Sequence, residues 1–96
     1  MIQDIKDALR VSGDDLDTEI QDLIDAAKAD LALSGVQKSK ITDEDPLIKR
    51  AITVYCKAHF GYEDPKYADR FQESYTSLKH HLTLSAEYTT EGDISG

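Results

Sequence analysis

Tryptophan is absent from the 96 residues, cysteine occurs once and proline only twice. A lone cysteine forms no internal disulfide, and Cys56 sits among apolar neighbours, so it reads as a small buried hydrophobe rather than a nucleophile. Five glycines and two prolines, beside 40% hydrophobic and 31% charged residues, exclude a globally disordered chain. No apolar run approaches the length that spans a bilayer, so no membrane segment is expected. The opening MIQDIKDALRV lacks a cationic start followed by an uninterrupted apolar stretch; no signal peptide is read, and synthesis inside the cell is expected. Basic residues are also scarce, 11 against 19 acids for a net charge of −8. Without a cluster of Lys and Arg to displace counterions, tight nucleic-acid binding is not expected of the isolated chain.

Motifs that carry chemistry are missing as well. There is no Gly-rich phosphate loop, GxSxG elbow, HExxH or paired cysteine motif. Asp15, Asp17 and Glu19 alternate as in a calcium loop, but Ile20 stands where glycine is needed and Ala26 where the bidentate acid belongs. His80 and His81 point about 100° apart on a helix and do not chelate together. Cys56 and His59 share a helix face without an orienting acid, which favours a core contact over a thiolate dyad. No catalytic residue, metal site or cofactor is therefore assigned, and a non-enzymatic binding or assembly module is expected.

What is present is helical periodicity around one dominant stretch, Asp45 to Gly61, DPLIKRAITVYCKAHFG. Pro46 starts a helix because its ring fixes φ and its missing N–H is not needed in the first turn, and Asp45 caps the free amides. Leu47, Ile48, Ala51, Ile52, Val54, Tyr55, Cys56, Ala58 and Phe60 cover most of its girth, with Lys49, Thr53, Lys57 and Arg50 on a narrow polar stripe. A helix so apolar is surrounded by others.

Upstream, Ile2, Ile5 and Leu9 predict a short first helix ending near Val11, broken by Ser12-Gly13. Asp14 or Asp15 caps a second helix with Leu16, Ile20, Leu23, Ile24, Ala27 and Leu31 on its apolar stripe, stopped by Gly35. Residues 36–44 read as a loop pinned by Ile41. Downstream, Gly61 stops the central helix and Asp64-Pro65 starts a fourth, with Tyr67, Phe71, Tyr75, Leu78 and Leu82 on one face. The expected fold is all-α: a bundle of about four helices over residues 1–85 and a flexible tail over 86–96, mildly strand-prone at Glu87, Tyr88, Thr89 and Thr90. The expected core is Leu23, Ile24, Ala27, Leu47, Ile48, Ala51, Ile52, Tyr55, Phe71 and Leu78.

The order IKDALRVSGDD, an acidic helix ending ADLALSGV, then DPLIKRAITVYCKAHFGYED and a last amphipathic helix resembles the head-tail connector family of tailed phages and prophages, over roughly residues 1–84. The resemblance implies an adaptor that forms a ring, dodecameric when assembled, beneath the portal protein. Such a ring completes the head after DNA packaging and receives the tail or a stopper protein. It lies at the head-tail junction of the virion, after synthesis in the bacterial cytoplasm, and DNA passes through it without specific binding.

Charge is unevenly spread. Residues 1–45 carry twelve acids against five Lys and Arg, and 46–96 carry seven against six. An acidic surface with Asp17, Asp22 and Asp25 is a candidate to meet a basic surface with Lys49, Arg50 and Lys57 on the next subunit, or to line the DNA channel. Glu87 to Thr90 is a candidate portal-docking strand. The competing function is a cytoplasmic regulator or interaction module that holds a partner helix on the Tyr67/Phe71/Tyr75 face.

Overall fold

A computed structural model describes residues 1–60 and 65–89. Gly61 and Asp64, read as a helix stop and a cap, and Thr90 at the end of the candidate strand lie outside the described residues. The chain runs through α1 (Ile2–Leu9), α2 (Asp17–Leu33), a turn of 3-10 helix (Lys38–Lys40), α3 (Pro46–His59), α4 (Pro65–Leu84) and α5 (Ala86–Thr89). No strand occurs among the described residues. The all-α bundle expected from periodicity is the observed class.

The helix ends follow backbone chemistry. Asp45 Oδ1 accepts the Leu47 and Ile48 amides at 2.9 and 3.3 Å, so the Asp-Pro pair starts α3 as expected. The first helix stops at Leu9, two residues early, because Arg10 turns left-handed at φ 61° and sends the Val11 amide back to the Lys6 carbonyl at 2.9 Å. That reversal satisfies an end carbonyl at the expense of steric strain in a residue with a Cβ. Neither Asp14 nor Asp15 caps α2, which begins at Asp17 with no side-chain cap. Lys6 holds Asp14 and Asp17 at 3.5 and 2.7 Å instead, so an ion pair to α1 replaces the cap. Gly35, at φ 117°, lets the Val36 amide reach the Leu31 carbonyl at 3.0 Å. Val36 then turns inward and is buried.

α3 packs against α1, α2 and α4, with α4 making the most extensive contact. Ile48, Ala51, Ile52, Val54 and Cys56 are buried and meet Ile5, Ile20, Ile24, Ala27, Leu31, Tyr75 and Leu82. Leu23, Tyr55, Phe71 and Leu78 are partly buried against this core. Leu47 is a correction. It is 41% exposed, since it sits in the first turn of α3, two turns before the buried Val54 that shares its side of the helix, where the bundle does not close over it. The central helix is also open along Arg50 and His59 and half open along Lys49, Thr53 and Lys57.

The C-terminal segment is a second correction. Residues 86–89 are helical, and Tyr88 is buried, where a flexible strand-prone tail was expected. The Tyr88 hydroxyl donates to Asp45, 2.9 Å from Oδ2 and 3.2 Å from Oδ1. Gln37 holds the same segment, its amide on the Tyr88 carbonyl at 2.8 Å and its Nε2 on the Thr89 carbonyl at 3.0 Å. Burial of an aromatic ring and four polar contacts outweigh the weak strand propensity of Tyr-Thr-Thr.

Candidate subunit-interaction surface

Three of the six expected interface charges are engaged inside the molecule. Asp17 is the partner of Lys6, whose ammonium is held above its ordinary value by the hydrogen bond to Asp17. Lys49 pairs with Asp4 of α1 at 3.1 Å. Lys57 lies over the Phe71 ring, 5.2 Å from its centroid. The other three have no ion pair among the described residues: Asp22, Asp25 and Arg50 are exposed, and of these Asp25 takes a bond within the described residues, from Gln21 Nε2 on its own helix at 3.0 Å.

Each α2 residue turns about 100° from the last. With Ile20, Ile24, Ala27 and Leu31 on the core side, Asp22, Asp25 and Ala29 project to the opposite side. Leu33 continues that surface and is 88% exposed. The outer side of α2 is thus acidic in its first half and small and apolar in its second.

Arg50 opens onto a shallow groove of about 480 Å³ between α3 and α4, lined with Val54, Ser74, Ser77, Leu78 and His81. Arg70 lies on the same edge of α4 as Ser74, Ser77 and His81, by the same turn per residue. The two serines carry no motif and escaped notice in the sequence, where His81 was weighed only as a metal ligand beside His80. The spacing of Ser74, Ser77 and His81, three and four along α4, was the available sign.

The opposite edge of α4 is locked to α2. Asp30 Oδ2 accepts the Tyr75 hydroxyl at 2.5 Å and the Lys79 ammonium at 3.0 Å. Burial raises the Asp30 carboxyl, but the Tyr75 and Lys79 hydrogen bonds outweigh it and leave the group below its ordinary value. Burial, and then the bond to Asp30, pushes the Tyr75 hydroxyl far above the usual phenol. Tyr55 meets Tyr75 edge-on with centroids 5.0 Å apart, and His59 tilts against Tyr55 at 4.4 Å. The Tyr67/Phe71/Tyr75 face is therefore no partner groove: Tyr75 is buried, Phe71 is half-buried, and only Tyr67, 52% exposed, is on the surface.

The residues weighed for chemistry are placed as follows. Cys56 is buried, and burial pushes its thiol up to about 12, while His59 faces outward, so the two form no dyad. His80 and His81 are exposed on α4. Among the described residues no group of three His, Cys, Asp or Glu is placed to hold a metal ion, and no helix is long and apolar enough to cross a membrane.

No curated protein and no solved structure gives a significant match to the chain. The model of the phage connector protein family matches residues 1–89, which include every described helix. With its central Asp-Pro helix, acidic second helix and C-terminal segment all inside that match, the chain belongs to the phage connector protein family, a structural class of virion component.

Proposed function

We propose that the chain is the adaptor of the head-tail connector, assembling as a ring of twelve beneath the portal protein. The ring completes the head after DNA packaging and receives the stopper or tail-completion protein. The observation that carries this reading is the family match over residues 1–89. The net charge of −8 supports a lining that DNA slides past, since like charge between protein and phosphate opposes adhesion. The exposed Asp22 and Asp25 on one side and Arg50 on another support contact between copies.

Portal contact by the segment from Glu87 to Thr90 belongs to the same reading, in altered form. Glu87 is exposed on α5 and is free to meet a partner from the docked helix. Tyr88 reaches one only after leaving Asp45. Glu87→Lys therefore weakens portal binding while leaving the thermal melt unchanged, and unaltered binding removes α5 from the portal interface.

Purified portal mixed with this chain tests the role directly. Electron microscopy is expected to show a second ring stacked on the portal. Portal rings that stay bare at saturating concentrations of the chain overturn the adaptor role.

A further inference from the structure

We infer that the outer side of α2 in one copy seats in the α3/α4 groove of the next, placing Asp22 and Asp25 against Arg50 and Arg70. The inference rests on the ring reading and specifies its contact.

Three observations converge on that pairing. First, the charges are complementary and unspent: Asp22, Arg50 and Arg70 are exposed and make no ion pair among the described residues. Second, the side chains on the two surfaces suit one another. Ala26 and Ala29 carry small side chains on the exposed part of α2, which permits close approach of a helix backbone, and the half-buried Leu78 offers apolar contact in the groove. Ser74 and Ser77 supply hydroxyl donors in the same groove, suited to carboxylate acceptors.

Third, the described residues of a copy do not fill its own groove. On α4 the edge with Arg70, Ser74, Ser77 and His81 lies about 150° from the edge with Tyr75 and Lys79, and the latter is the one held by Asp30 of α2. On α3, Arg50 and Val54 lie about 140° from Tyr55 and His59, which border that same network. The groove thus opens away from α2. A donor surface and an acceptor surface on different sides of one molecule make a heterologous contact, which propagates head to tail and closes into a ring when the rotation permits. A two-fold dimer needs the same patch on both partners and does not result from this pairing.

The test uses two charge-reversed variants of the full chain, assembled on portal. One is Asp22→Arg with Asp25→Arg, the other Arg50→Glu with Arg70→Glu. All four positions are exposed, so both variants are expected to melt near the wild type. Each alone places like charges across every contact and is expected to lose ring yield by at least about tenfold. Mixed in equal amounts they restore it, because in an alternating ring each acidic surface then meets an arginine groove and each reversed surface meets a glutamate groove. Rings from either variant alone, or no rescue on mixing, overturn the contact while the adaptor role stands. Loss confined to the groove variant, with no rescue on mixing, assigns the groove to the portal and overturns the contact as well. A wild-type chain that forms no ring on portal instead overturns the adaptor reading itself.

Discussion

Asp45 serves two structures at once, and removing it separates their contributions. Its Oδ1 caps α3 through the Leu47 and Ile48 amides, and both its oxygens accept the Tyr88 hydroxyl of α5. Loss of an N-cap costs about 1 kcal/mol. A hydrogen bond to a charged acceptor contributes about 1.5–3 kcal/mol when shielded, and because Asp45 is partly open to water a contribution of about 1 kcal/mol is reasonable here. Asp45→Ala is therefore expected to destabilise the domain by about 2 kcal/mol, Tyr88→Phe by about 1 kcal/mol, and the double variant by about 2 rather than 3 kcal/mol. The coupling of about 1 kcal/mol is the quantity of interest. Urea unfolding followed by circular dichroism measures it, and each kcal/mol also moves the melting temperature by about 4–8 °C in a domain of this size. If Tyr88→Phe is neutral and the two changes are additive, the α5 hydroxyl does not sit on Asp45 and the docking of the C-terminal segment is wrong.

Other perturbations report on the core, the titrating groups and the backbone. Ile52→Asp places an unpaired charge at a fully buried site and is expected to unfold the domain, at a cost above about 4 kcal/mol, while Ile52→Val costs about 1 kcal/mol; a cooperative melt near wild type for the aspartate variant refutes the central place of α3. Burial and the Asp45 bond raise the Tyr88 hydroxyl to about 12, and burial raises the Cys56 thiol to about 12. Groups raised in the folded state contribute stability that is fully present below their unfolded values and is lost as pH climbs through the folded ones. Stability is thus expected to fall between about pH 9 and 12, and tyrosinate absorbance should develop with the loss of helix rather than before it. Asp30 is lowered from 3.8, so its contribution is present above that value and disappears as acid protonates it, which a urea series below pH 4 is expected to show for the wild type and not for Asp30→Asn. Arg10→Gly removes the Cβ strain at φ 61° and is expected to raise stability by about 1 kcal/mol in urea unfolding; a loss of stability means that the Arg10 side chain outweighs the strain.

Deletion of residues 86–96 has a different meaning once α5 is in view. Read as a free tail, the segment is dispensable to the monomer. With Tyr88 buried and bonded to Asp45, its removal strips a ring from the core and exposes the cap of α3, so truncation weakens the fold before any question of portal binding arises. Substitution at the exposed Glu87 is the cleaner probe of that surface.

Sequence alone determined the class, the start of α3 and the existence of its neighbours. The reason is that proline geometry, aspartate capping and a 3.6-residue apolar period are local properties, expressed within a few residues of one another. Local chemistry also offered Asp14 and Asp15 as caps and Glu87 to Thr90 as strand-prone, and in both cases a distant partner prevailed: Lys6 from α1 for the acids, Asp45 and Gln37 for Tyr88. The same holds for the charged surface. Asp17, Lys49 and Lys57 look equivalent in sequence to Asp22, Asp25 and Arg50, and only the packing of α1 on α2 and α3, and of α4 on α3, decided which are spent on Lys6, Asp4 and Phe71 and which still face outward. Pairing at a distance depends on how helices cross, and no pattern along a single helix encodes it.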